Sequence, residues 1–117
     1  MENQEASNKV FSYDEAYDAT LKYFDNDDLA ARVWVSKYAL KDSFGNIFEK
    51  TPDDMHNRIA AEIARIENKY PNPMSKEEVF DLMKNFRYIV PQGSPMSGIG
   101  NNYLVGSLSN CFVLGIV

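Results

Sequence analysis

Apolar residues recur at helical spacing along four stretches of the chain, and each stretch follows a residue able to cap a helix. The first, about Tyr13–Phe24, puts Ala16, Tyr17, Thr20, Leu21 and Phe24 on one face. A second, about Asp27–Leu40, aligns Ala30, Val33, Trp34, Lys37 and Tyr38, with Asp27 or Asp28 as its cap. The third, about Pro52–Lys69, carries Met55, Ile59, Ile63 and Ile66, with Tyr70 just beyond. The fourth, about Lys76–Phe86, carries Val79, Leu82, Met83 and Phe86. One-sided stripes of this kind predict helices packed on a shared core.

The starts are written in local chemistry. Ser12, Thr51 and Ser75 precede the carboxylates Glu15, Asp54 and Glu78 by three positions. A hydroxyl there accepts from a free helix N–H, and the carboxylate favours the positive helix end. Pro52 falls at a first helical position, where its missing N–H costs nothing. Turns follow from Asp42-Ser-Phe-Gly45-Asn46, and Pro71 and Pro73 end the third helix.

After Arg87 the pattern changes. All 12 Lys and Arg and all 17 Asp and Glu lie in positions 1–87, leaving residues 88–117 without a charged side chain. Gly93, Gly98, Gly100 and Gly106, with Pro91 and Pro95, predict a long irregular segment, and residues 110–117 read as a strand buried on both faces. An apolar tail of this kind belongs inside a larger core. The expected division is a frayed polar stretch at 1–10, a helical unit at 11–87, and a loop with one strand at 88–117.

Composition narrows the function classes. An apolar fraction of 44 % suits a folded chain, and a net charge of −5 disfavours a nucleic-acid backbone. One cysteine forms no internal disulfide, no apolar run reaches the ~20 residues of a membrane span, and a cytoplasmic setting is expected. Asp25-Asn26-Asp27-Asp28 fails as a calcium loop, since Ala30 and Ser36 stand where glycine and glutamate are needed. His56, the single histidine, has no partner at metal-ligand spacing and is expected at the surface or half-buried. Gly93–Asn102 is either a ligand-binding loop, offering backbone N–H groups with the Ser94 and Ser97 hydroxyls, or a structural one. Cys111 on pattern alone is a small buried hydrophobe, with no Lys, Arg or His nearby to lower its pKa.

Several segments taken in order nevertheless resemble one family. They are Ala30-Ala-Arg-Val-Trp-Val-Ser-Lys-Tyr-Ala-Leu40, Thr51-Pro-Asp-Asp-Met-His-Asn-Arg58-Ile-Ala60, Pro91-Gln-Gly-Ser-Pro-Met-Ser-Gly98 and Leu108-Ser-Asn-Cys-Phe-Val-Leu114. The chain resembles the N-terminal part of the catalytic subunit of ribonucleotide reductases, most of all the adenosylcobalamin-dependent branch. The resemblance implies a mainly α fold: a four-helix region, a Gly/Pro-rich loop, and the first strand of an incomplete ten-stranded α/β barrel.

The same resemblance implies the chemistry. A thiyl radical takes the ribose 3′ hydrogen, water leaves from C2′, and a cysteine pair supplies two electrons and becomes a disulfide. By motif position Cys111 corresponds to the first cysteine of that pair. Ser94, before Pro95, corresponds to the hydroxyl residue that contacts substrate, and Ser109 and Asn110 lie where the strand approaches it. Adenosylcobalamin, a ribonucleotide and a thioredoxin-type reductant would serve the full-length enzyme. This chain would bind no cobalamin, would be inactive alone, and would self-associate through its tail. The competing expectation is a small helical interaction module that docks through that apolar tail.

Overall fold

A computed structural model describes residues 9–104, Leu108 and Gly115. Among these residues the fold is five helices: α1 Tyr13–Tyr23, α2 Asp28–Val33, α3 Pro52–Glu67, α4 Lys76–Met83 and α5 Gly93–Gly98. No strand occurs among them; Ile47 makes isolated antiparallel bridges to Phe11 and Lys41.

Each of the first four helices starts where its cap predicts. Ser12 Oγ accepts from Glu15 N at 3.1 Å, Asp27 from Ala30 N at 3.1 Å, and Ser75 Oγ from Glu78 N at 3.1 Å. At α3 the Asp54 carboxylate accepts from both Lys50 N and Thr51 N, at 2.9 and 3.3 Å. The acidic run between α1 and α2 is thereby explained: Asp25 and Asn26 take left-handed conformations at φ 53° and 69°, and Asp27 caps α2. Tyr17 donates to Asp28, which also pairs with Arg32 at 2.8 Å, tying α1 to α2 at the surface.

The core gathers Ala16, Trp34, Val35, Met55, Ile59, Ala60, Val79, Met83 and Met96 from all five helical regions. Trp34 Nε1 donates to Met55 Sδ at 3.4 Å, and Thr20 Oγ1 donates to Lys50 O at 2.8 Å. Burying apolar side chains from every helix is what holds segments too short to be helical alone.

Four expectations need correction. The second helix does not run as a regular helix to Leu40: α2 passes into a π turn, Trp34–Tyr38, closed by Ala39 N to Trp34 O at 3.0 Å. Lys41 Nζ reaches back to the carbonyls of Val35 and Ser36, at 2.5 and 3.0 Å, and satisfies acceptors at that end. The buried stripe is Ala31, Trp34, Val35 and Ala39, one residue round from the expected one, so Lys37 faces solvent. The α-helical part of the fourth helix ends at Met83, followed by a 3₁₀ turn, Lys84–Phe86, in which Asn85 and Phe86 have φ of 57° and 56°. Ile66 and Tyr70, read as inward, are exposed, and Tyr70 lies beyond the end of α3 at Glu67. The fourth correction concerns residues 93–98: they form α5, not an irregular loop, for a reason that lies in Arg58. The strand expected at 110–117 falls outside the described residues, apart from Gly115, which is assigned to no element.

Candidate functional site

The Ser94–Pro95 segment begins a helix of only six residues. Gln92 caps its start, Pro95 sits in the first turn where no N–H is needed, and Met96 plants the helix in the core. Gly93 lets the tyrosine come close: a Cβ would stand 3.3 Å from Tyr38 Cε1, a tight contact to which the ring would have to yield slightly. The widened π turn thus presents the tyrosine ring against the start of α5. Ser94 is half-buried, and Ser97 Oγ donates back to Gly93 O at 3.2 Å.

The far end of α5 is held by a buried ion pair. Arg58 Nε donates to Glu49 Oε2 at 2.9 Å, with side chains 9 % and 5 % exposed. The same guanidinium donates to Met96 O at 2.6 Å and Ile99 O at 2.5 Å. Glu49 Oε1 also accepts from Leu40 N at 2.9 Å. Burial pushes the Glu49 carboxyl above its usual range, and Arg58 pulls it back. Gly100, at φ +74°, clears the way for this arrangement, since a Cβ would lie 3.0 Å from Arg58 Cγ.

Two depressions flank this support. A cleft of about 620 Å³ is lined by Glu49, Asp54, Arg58, Arg65, Lys76 and Tyr103, among others. Within it Phe48 and Tyr103 stack at 4.4 Å. An apolar groove of about 270 Å³ lies between Phe24, Val33, Trp34, Tyr38, Phe86 and Met96. Ser94 lines neither depression.

A second polar cluster is made by Tyr23, Asp53 and His56. His56 is fully buried, where a surface or half-buried position was expected. Both its ring nitrogens, Tyr23 Oη and Asp53 Oδ1 are buried without a hydrogen-bond partner. Phe86 packs edge-on against the imidazole at 4.8 Å. Burial lowers the His56 pKa, with Asp53 opposing, and burial raises Tyr23 to about 12.

Of the four site residues read from sequence, the structure therefore describes Ser94 alone; Ser109, Asn110 and Cys111 lie outside the described residues. Sequence reading passed over Glu49 and the role of Arg58. The signal was present: Arg58 falls between Met55 and Ile59 on the apolar stripe of α3, where an arginine is buried only if paired. His56 also lies on this inward face, next to Met55.

Among the described residues no group of His, Cys, Asp and Glu could hold a metal ion, and no helix is long and apolar enough to cross a membrane. The fold defines an all-helical domain among the described residues. The family model for the ribonucleotide reductase all-alpha domain matches residues 24–100, from the C-cap of α1 through α5, and the chain belongs to that family. No curated protein and no solved structure matches it.

Proposed function

We propose that the chain is the helical platform of a ribonucleotide reductase catalytic subunit of the adenosylcobalamin-dependent branch, working in the cytoplasm. The observation that carries this reading is the family match ending at Gly100, directly after the helix that bears Ser94. In this reading the platform delivers Ser94 to the ribonucleotide, and Ser109 and Asn110 are assigned as further substrate contacts by motif position. Cys111 is one thiol of the redox pair. Two thiols give up two electrons and two protons and become a disulfide; the substrate C2′ loses its hydroxyl as water and gains a hydrogen. A thioredoxin-type dithiol then restores the pair.

Adenosylcobalamin supplies the radical in that branch, but the described residues do not fit it. The chain's one imidazole, His56, is sealed beneath Phe86 and cannot reach cobalt. Any cobalamin is held by the remainder of the barrel, and this chain by itself is inactive.

The test is reconstitution with a polypeptide carrying the rest of a reductase barrel, assaying deoxyribonucleotide formation with thioredoxin as reductant. The mixture should turn over and the chain alone should not. Cys111→Ser should abolish thioredoxin-driven turnover; turnover at the parent rate in that mixture would refute the assignment.

A further inference from the structure

The carbonyls at the end of α5 are completely accounted for, and the accounting singles out one side chain. Pro95 O accepts from Ile99 N at 3.0 Å and Gly98 O from Asn101 N at 3.1 Å. Ser97 O accepts from Asn101 Nδ2 at 3.1 Å. The carbonyls of Met96 and Ile99 accept from Arg58. A helix leaves its last carbonyls without intrahelical partners, and one of six residues is too short to persist unaided. Arg58 comes from α3, a long helix rooted in the core, so it fixes the short helix to a rigid one.

The fork divides its donors. Nε and one Nη face Glu49, at 2.9 and 3.3 Å, while the two Nη groups reach the α5 carbonyls. Glu49 is held in turn by Leu40 N. A planar guanidinium spans these acceptors in one geometry, which the point charge of a lysine cannot do.

We infer that Arg58 is a positioning residue for the substrate-facing turn of α5: it clamps the C-terminal carbonyls of that helix, and Glu49 sets the orientation of its fork. This rests on the reading that Ser94 contacts the ribonucleotide. The cleft lined by Arg58 is then the back of the clamp, and Gly100 is the residue that lets the arginine pass.

The experiment is residue-resolved amide exchange on the full 117-residue chain. Arg58→Lys should speed exchange at the Met96 and Ile99 amides at least tenfold, with α1–α4 amides near parent values. Glu49→Gln takes away one of the two carboxylate oxygens that orient the fork, so exchange at the Met96 and Ile99 amides should rise relative to the other helices, though less than in Arg58→Lys; parent protection of α5 in this variant would overturn the role of Glu49. An Arg58→Lys chain with parent exchange in α5 would overturn the clamp. If that variant does not fold, the unmutated chain decides: Arg58 should show separate, slowly exchanging Nη–H signals with Overhauser contacts to α5. A single averaged, solvent-exchanging signal in the folded chain would overturn the inference. Titration of the parent with ATP, in the mixture reconstituted with the polypeptide carrying the rest of the barrel, separates the premise. If Ser94 and its neighbours do not shift, the substrate reading and the purpose assigned to Arg58 fall, while the exchange data still report the clamp itself.

Discussion

Replacing His56 by leucine isolates the proton linkage of a histidine that the fold holds neutral. The ring has no solvent exposure, and neither nitrogen has a partner. Burial depresses its pKa below the ordinary 6.5, and Asp53 offsets only part of that. Below pH 6.5 the unfolded chain therefore binds a proton that the folded chain refuses. Stability falls as the pH drops from 6.5 toward the folded value, with a slope approaching about 1.4 kcal/mol per pH unit. With a urea m-value of about 1–3 kcal/mol/M, the unfolding midpoint should move by up to roughly 0.5–1.4 M per pH unit in that window.

The groups around the imidazole do not mimic this behaviour. Tyr23, raised to about 12, stays neutral throughout, and Phe86 does not titrate. Glu49, raised by burial, contributes with the opposite sign, losing stability as the pH rises through its own range. It is common to parent and variant and cancels in their difference. His56→Leu should hold or improve stability at pH 7.5, because it removes two orphaned nitrogens without emptying the site. Urea titrations from pH 4.5 to 8 should show a shallower acid limb by up to one proton. An unchanged limb in the leucine variant would refute the reasoning.

Other perturbations test the packing and the turns. Met55→Ala should destabilise by about 2–5 kcal/mol in urea unfolding, since Met55 is fully buried between α3 and Trp34. Thr20→Val keeps the volume but strips Lys50 O of its donor, and a cost of about 1–3 kcal/mol is expected. Gly100→Ala combines a left-handed backbone with the close Arg58 contact; about 1–2 kcal/mol of backbone cost, read as a lowered Tm, should accompany faster exchange in α5. Asp54→Ala should cost about 1 kcal/mol by freeing the Lys50 and Thr51 amides, also visible in Tm.

How much was legible depended on how local the cause was. Ser12, Asp27, Thr51 and Ser75 act within one turn of themselves, and each starts a helix as its spacing predicts. The stretch after α2 was misread because periodicity assumes an unbroken 3.6-residue turn, and the π turn at Trp34–Tyr38 breaks it, burying Ala39 in place of Tyr38. α5 was hidden for a different reason. Glycine and proline at 93, 95 and 98 argue against a helix on propensity, and the stabilising donor lies 38 residues away from Met96 on α3. His56 was misplaced because one histidine carries no pattern, and only the closure of Phe86 over it decides its burial.

The sequence by itself determined the helix starts, the uncharged segment after Arg87 and the likeness to ribonucleotide reductases, because capping, charge and motif order are written in neighbouring residues. The tertiary structure alone decided that the Ser94 turn is a helix, that Glu49 and Arg58 hold it, and that His56 is sealed beside Tyr23 and Asp53. Each of these depends on residues far apart in the chain meeting where water is excluded. For Glu49 and Arg58, an unpaired charge or carbonyl there is costly enough to dictate its partner.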